Sequence, residues 1–290
     1  MKKYLFPVVA LVATMASCTS DVEDAAVSEQ TGKAQKYVIS AKPFENADDI
    51  TRTVLTDGTS GITFEWSFNE KFGVYPIAPY ANNQAKWDLI QDCPDDDHWA
   101  EFHNPNCAEF CGQGWQLQNN VTYVAYQPYV ETTNSYTEVP VEIPASQDGT
   151  LKYIGDNVDW VFATGTYHDP IKDDHKRFES VIFDFSHAIA IIKIQVPANI
   201  VDGIYVTADE GNPFITSGTM DVSTGIVTAG ASTNRISLSD PETVENGVAT
   251  FYMAVFPTTT GACTIHAGGL SFQVASKTLK AGKAYRWICQ

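Results

Sequence analysis

The chain has 290 residues, 35 acidic against 18 basic side chains, a net charge of −17 and 44% hydrophobic residues. That balance excludes the basic surface needed to bind nucleic acid and a basic patch for anionic lipid, so neither is expected as a partner. The hydrophobic content is enough for a full core, and the length suits one large domain or two of ordinary size; two are favoured.

The first elements lie outside the fold. Lys2 and Lys3 precede "YLFPVVALVATMA", an apolar run of about a dozen residues that is too short to span a ~30 Å hydrocarbon layer and reads as a secretory signal. The run ends in "MASC", where two small residues are followed by Cys18, an arrangement that resembles the lipobox of bacterial lipoproteins. Residues 1–17 are therefore expected to be removed and Cys18 to be acylated. Acyl chains contribute about 0.8 kcal/mol per buried CH₂, so several on one residue hold a soluble domain firmly on a membrane. Residues 18–36, rich in Ser, Thr, Ala and acidic side chains, form an acidic tether.

From Tyr37 onward the pattern is of strands. "GITFEWSFNEKFGVYPIA" (61–78) alternates around Ile62, Phe64 and Trp66; "NVTYVAYQPYV" (120–130) is aromatic and β-branched; "SVIFDFSHAIAIIKIQV" (180–196) alternates almost throughout. Turn chemistry separates them, at "TDGTSG" (56–61), "QDGT" (147–150), "VDG" (201–203), "STG" (223–225), "NG" (246–247) and "AGK" (281–283). Short strands at this spacing, without a long helical period, predict an all-β protein of antiparallel sandwiches. The polar loop "YHDPIKDDHKRFE" (167–179) is the expected boundary between an N-terminal domain, 37–175, and a C-terminal domain, 176–290.

The stretch "CPDDDHWAEFHNPNCAEFC" (93–111) gathers Cys93, His98, His103, Cys107 and Cys111. Thiolate and imidazole are zinc ligands, but no CxxC knuckle is present, and exported cysteines pair with one another more often than they hold metal. A disulfide among Cys93, Cys107 and Cys111 is the first expectation, ahead of free thiols and of a metal. Cys263 and Cys289, both on predicted strands of the last domain, are candidate neighbours. Asp95–Asp97 lack the Gly and distal Glu of an EF-hand loop and read as a solvated acidic turn. His187 lies in an apolar strand and reads as a core or edge histidine, and His168 and His175 read as linker. GxSxG, P-loop, dinucleotide and HExxH signatures are absent, so no enzyme, cofactor or metal is expected.

The order of these segments carries a resemblance. The lipobox, the tether, a short strand, "ITRTVL" (50–55), "FEWSFNEKFGVY" (64–75), "YVAYQPY" (123–129), "VEIPASQ" (141–147), "FDFSHAIAIIKIQV" (183–196) and "LKAGKAYRW" (279–287) together resemble the fimbrillin family, the type V pilins and fimbrillin-like surface lipoproteins of Gram-negative anaerobes. The resemblance implies two tandem transthyretin-like β-sandwiches, a lipid anchor on Cys18 in the outer membrane, a place in the fimbrium and other fimbrial subunits as partners. It further implies assembly by strand exchange after an arginine-specific protease removes the N-terminal strand "YVISAKPF" (37–44). The processing site is expected at Arg52, the first arginine of the chain, which follows the polar run "ENADDI" and would leave Thr53 as the new N-terminus. Little sequence follows the last predicted strand, so Ala284 to Gln290 alone are available as a donor segment, and a tip or accessory subunit is expected. The alternative is a non-polymerising surface lipoprotein that holds glycan or host protein through Trp66, Trp99, Trp115 and Trp160, although a core place is the default for such tryptophans.

Overall fold

The computed structural model describes residues 35–41, 45–46, 57–58, 61–62, 72–77, 87–90, 107–112, 120–130, 135–166, 182–199, 203–209 and 211–289. Alternating apolar and β-branched residues make nearly all of its elements strands. The first eight are β1 (Gln35–Ala41), β2 (Glu45–Asn46), β3 (Asp57–Gly58), β4 (Gly61–Ile62), β5 (Gly73–Pro76), β6 (Trp87–Ile90), β7 (Cys107–Gly112) and β8 (Thr122–Gln127). Then come β9 (Val139–Glu142), β10 (Ser146–Gln147), helix α1 (Leu151–Asn157), β11 (Val161–Thr166), β12 (Ile182–His187) and β13 (Ala190–Pro197). The rest of the chain carries β14 (Ile204–Ala208), β15 (Phe214–Asp221), β16 (Ile226–Thr233), β17 (Arg235–Leu238), β18 (Thr243–Glu245) and β19 (Val248–Val255). It ends with β20 (Thr258–Thr260), β21 (Cys263–Ala267), β22 (Leu270–Val274), β23 (Lys277–Leu279) and β24 (Lys283–Ile288).

The C-terminal part is a two-layer sandwich, as expected. One sheet has the order β18-β19-β13-β24-β2 and the other β10-β17-β14-β21-β22. Between them lie Ile192 and Ile194 of β13, Phe251 and Met253 of β19, and Tyr285 and Trp287 of β24, against Val206, Ile236 and Ile265 of the facing sheet. Hairpin chemistry sets its corners. Asn246 and Gly247 join β18 to β19 with φ of 51° and 78°, the left-handed pair that a two-residue hairpin requires.

The N-terminal part differs from an open sandwich. Its strands close into a ring with the order β1-β12-β11-β8-β5-β6-β7. Closure follows from β7, which pairs with β6 on one side (Leu89 opposite Gly112) and with β1 on the other (Tyr37 opposite Phe110). Within the ring Gly73 lies opposite Tyr126, and a Cβ there would run into the Tyr126 ring, so the aromatic occupies the space that glycine leaves.

A single apolar run joins the two parts. The alternation of 180–196 predicts one strand, but the chain bends at Ala188–Ile189, so β12 belongs to the ring and β13 to the sandwich. The bend is held by the Ala188 N–H donating to the Trp160 carbonyl (2.7 Å) and by the Asp159 carboxylate, whose Oδ1 lies 2.7 Å from His187 Nδ1. Beyond it, β13 and β19 are covered on both faces. Ile189, Ile191, Tyr252, Ala254 and Phe256 point away from the sandwich and pack with Tyr75, Val124, Tyr126 and Ile154 in a second core. Double coverage is why Ala188–Ile192 and Phe251–Phe256 are apolar without a break, while Lys193 and Gln195 further along β13 restore the alternation.

Two further features depart from the sequence expectation. Helix α1 is new. Thr150 caps it, its Oγ1 accepting from the Tyr153 N–H (3.1 Å), Glu242 accepts from the Leu151 N–H (2.8 Å), and Leu151 and Ile154 are its buried side. Four of the pairings are parallel, β1/β12, β13/β24, β2/β24 and β10/β17, within a largely antiparallel protein. The expected boundary between residues 175 and 176 lies outside the described residues. β9 and β10, which precede it in sequence, hydrogen-bond to β15 and β17, which follow it.

Candidate functional site: the N-terminal strands and the edges they cover

β1 is an inner strand, not an edge. It runs parallel to β12, with Val38 opposite Ile182 and Ala41 opposite Phe185, and antiparallel to β7, with Gln35 opposite Gly112 and Ser40 opposite Cys107. Without it β12 and β7 would each lose a ladder, and the ring would open between them. The aromatic side chains beneath β12 are fully buried: Phe183, and Phe185 stacked at a tilt on Phe72 with centroids 5.3 Å apart. β2 follows β1 directly and extends a different sheet, pairing Glu45 with Lys283 and Asn46 with Ala284 at the outer side of β24. One short segment before residue 47 thus completes both the ring and one edge of the sandwich.

Arg52 and Thr53 lie outside the described residues, as do Cys18 and Cys93. Their place in the chain is nonetheless informative. Arg52 falls between β2 and β3, and every strand that β1 and β2 pair with (β7, β12 and β24) comes after it. A single cut there would sever the covalent link between both strands and all of their strand partners among the described residues, leaving only the ladders to hold them.

The cysteines sort into two groups. Cys107 and Cys111 lie on β7, not in a loop. Four residues of extended strand span about 13 Å, far beyond the ~7 Å between Cα atoms that a disulfide bridges, so these two do not pair with each other while β7 is formed. Any bridge within 93–111 therefore involves Cys93. Cys263 and Cys289 share the sandwich core, but both are free thiols, so the expected neighbours are not bridged. Burial raises both thiols, that of Cys289 to about 11.

The proposed aromatic ligand platform does not form at Trp160. Its side chain is buried in the second core, with the indole N–H donating to the Glu142 carbonyl (2.9 Å); Trp66, Trp99 and Trp115 lie outside the described residues. On the outer face of the sandwich, which the sequence reading passed over, Tyr205 is stacked on His266 (4.4 Å) and lies 3.8 Å from the Arg235 guanidinium. Those neighbours come from the strands on either side of β14, so the ring is taken up within the sheet.

The comparisons agree with this architecture. The sequence matches the fimbrillin-like family over residues 51–287, a region that begins just before Arg52. A candidate cell adhesion protein of Bacteroides ovatus has a similar fold, with a TM-score of 0.55 at 18% identity over 89% of this chain and 92% of that one. A fimbrial protein of the same species is similar with a TM-score of 0.50 at 10% identity, covering 89% of this chain and 49% of that chain. At such identities the likeness bears on fold alone. No curated protein matches the chain. The family is one of fimbrial proteins and not of enzymes. On the match over most of its length, this chain belongs to the fimbrillin-like family.

Proposed function

We propose that the chain is a fimbrial subunit exported as a lipoprotein and assembled by strand exchange, with β1 and β2 as a removable placeholder. The observation that carries this is the position of β1 between β12 and β7 while its only covalent link to the fold passes through Arg52. Removing an inner strand exposes apolar side chains and two rows of unpaired backbone groups, which an incoming strand relieves by β-augmentation. Contacts of this head-to-tail kind do not close on themselves and so extend into a filament. In this reading Cys18 holds the precursor on the outer membrane until the cut, the two tandem transthyretin-like domains expected at 37–175 and 176–290 exchange strands, β12 entering the ring and β2 and β10 the sandwich sheets, and other fimbrial subunits supply the replacement strand.

Residues 283–288 bear on its place in the fibre. They form β24, hydrogen-bonded to β13 along five residues and contributing Tyr285 and Trp287 to the core. Releasing them as a donor strand would dismantle the sandwich, so in this reading β24 stays with its own subunit, which accepts a strand at the ring in the manner of a tip or accessory subunit. The test is the N-terminus of protein recovered from sheared fibres. Thr53 is expected, with Arg52→Ala accumulating as an intact monomer that labels with palmitate and Cys18→Ala released without label. Fibre protein that begins at acylated Cys18, or normal polymerisation by Arg52→Ala, would overturn the reading.

A further inference from the structure

The strand that remains least protected is β16. In the order β16-β15-β9 it is an outer strand, with β15 as its one strand neighbour among the described residues. Natural edge strands are guarded by charge, by proline or by brevity. β16 has eight residues, "IVTAGAST", with no charged residue and no proline, in a chain of net charge −17. It is exposed along most of its length, and Ile226, at 65% exposure, is the most exposed of the large apolar side chains among the described residues.

Its sequence is also nearly symmetric about Gly230. Turned end for end, Ala229 meets Ala231, Thr228 meets Ser232 and Val227 meets Thr233. Small residues allow close approach, and hydroxyl residues facing one another across strands are a favourable pair. The ladder to β15 has a matching irregularity. Ile215 lies opposite Ser232, Ser217 opposite Ala231 and Gly218 opposite Ala229, so Thr216 and Gly230 are each skipped. The two bulges offset one another and leave the strand in phase on either side. In the interval from Asp221 to Ser239 the charged residues are Asp221 and Arg235, and the symmetric register sets neither opposite a like charge.

We propose that β16 pairs antiparallel with β16 of a second copy about a two-fold axis at Gly230. A two-fold contact closes on itself, so it does not extend a filament head to tail; it ties two subunits, and the fibres that contain them, side by side. The proposal does not depend on strand exchange, because β16 and its neighbours are distinct from β1, β7, β12 and β24. An eight-residue edge is a small interface, so association is weak in solution and is reinforced where subunits are held close together on a surface or fibre.

Single cysteines read the register directly. A Cβ at Gly230 meets nothing closer than 3.4 Å, so Gly230→Cys is accommodated. In the full chain, Gly230→Cys is expected to give a covalent dimer on mild oxidation, at least severalfold more than Thr228→Cys or Ile226→Cys, whose partners across the axis are Ser232 and Asn234. Adding Thr228→Lys to Gly230→Cys places a charge on the edge and should remove that dimer, with the circular dichroism spectrum and melting temperature unchanged. Sedimentation of the unmodified chain should show a monomer–dimer equilibrium that Thr228→Lys abolishes. Equal cross-linking at the three positions, no excess over the parent chain at position 230 in a folded variant, or sedimentation unaffected by Thr228→Lys would overturn it.

Discussion

The ring and the sandwich obtain their closure in opposite ways. The sandwich core is drawn from residues 190–289, with β13 joined by continuous ladders to β19 on one side and β24 on the other. The ring depends on β1, which arrives from the far N-terminal side of the chain, separated from β7 by about seventy residues and from β12 by about 140 (an order-of-magnitude loop separation whose closure entropy grows only slowly with length). A structure closed by a distant, covalently separable strand can be opened without unmaking the rest. A core whose strands β13, β19 and β24 all lie on one side of that separable link cannot.

The largest test of that contrast is to cut the chain between β2 and β3, at an introduced protease site, and remove the N-terminal piece. Amide protection in Thr122–Gln127 and Val161–Thr166 of the ring is expected to collapse, while Ile204–Ala208 and Val248–Val255 of the sandwich keep theirs. Loss of both together would show one cooperative unit and break the comparison. Phe251→Ala strikes the sandwich instead. The Phe251 side chain is fully buried in the sandwich core, and the truncation should cost about 3–5 kcal/mol by denaturant unfolding.

The seam between the two parts gives a smaller effect. Asp159 Oδ1 lies 2.7 Å from His187 Nδ1, both side chains almost wholly buried, at the bend where β12 gives way to β13. Asp159→Asn removes the charge from that contact and should cost about 1–3 kcal/mol, measured by the same unfolding. If ring and sandwich melt as separate transitions, the variant should bring them further apart; a single transition shifted as a whole would mean that the seam merely adds to one core.

A finer probe of the sandwich core is alkali. Burial raises the Cys289 thiol from its ordinary 9.0 to about 11, so between those values the folded chain keeps a proton that the unfolded chain has lost. Stability then falls as pH rises from about 9 to 11, and is at its full value below that window. Cys289→Ala should flatten this slope in a stability profile against pH. The smallest effect is expected at Lys152, which pairs with Asp156 one helical turn on, with 81% and 54% of the two side chains exposed. Lys152→Ala should leave the melting temperature within error, since an exposed pair of this kind contributes little.

Much of this was legible because it is local. Asn246–Gly247 and the left-handed turn glycines announced hairpins through backbone preference alone. The aromatic and β-branched run 120–130 announced β8. By contrast, α1 was hidden because seven residues are too few to establish a helical period, and it is stabilised by a cap and by Glu242, ninety-one residues away from Leu151. Cys107 and Cys111 read as disulfide candidates in a loop because their residue type is conspicuous, while the strand they sit on is defined by β1 and β6.

By itself the sequence determined the all-β class, the positions of several turns and the family resemblance, since each depends on side-chain type or period within a short window. Tertiary structure alone decided that the run 180–196 breaks at Ala188 into strands of two different sheets, that the N-terminal part is a closed ring and that β1 is its inner strand. Those outcomes depend on which distant segments offer an unpaired edge. Backbone hydrogen bonds carry no side-chain identity, so which strands β1 joins depends on the edges that β7 and β12 offer in the folded ring, while side-chain pattern bears on the register.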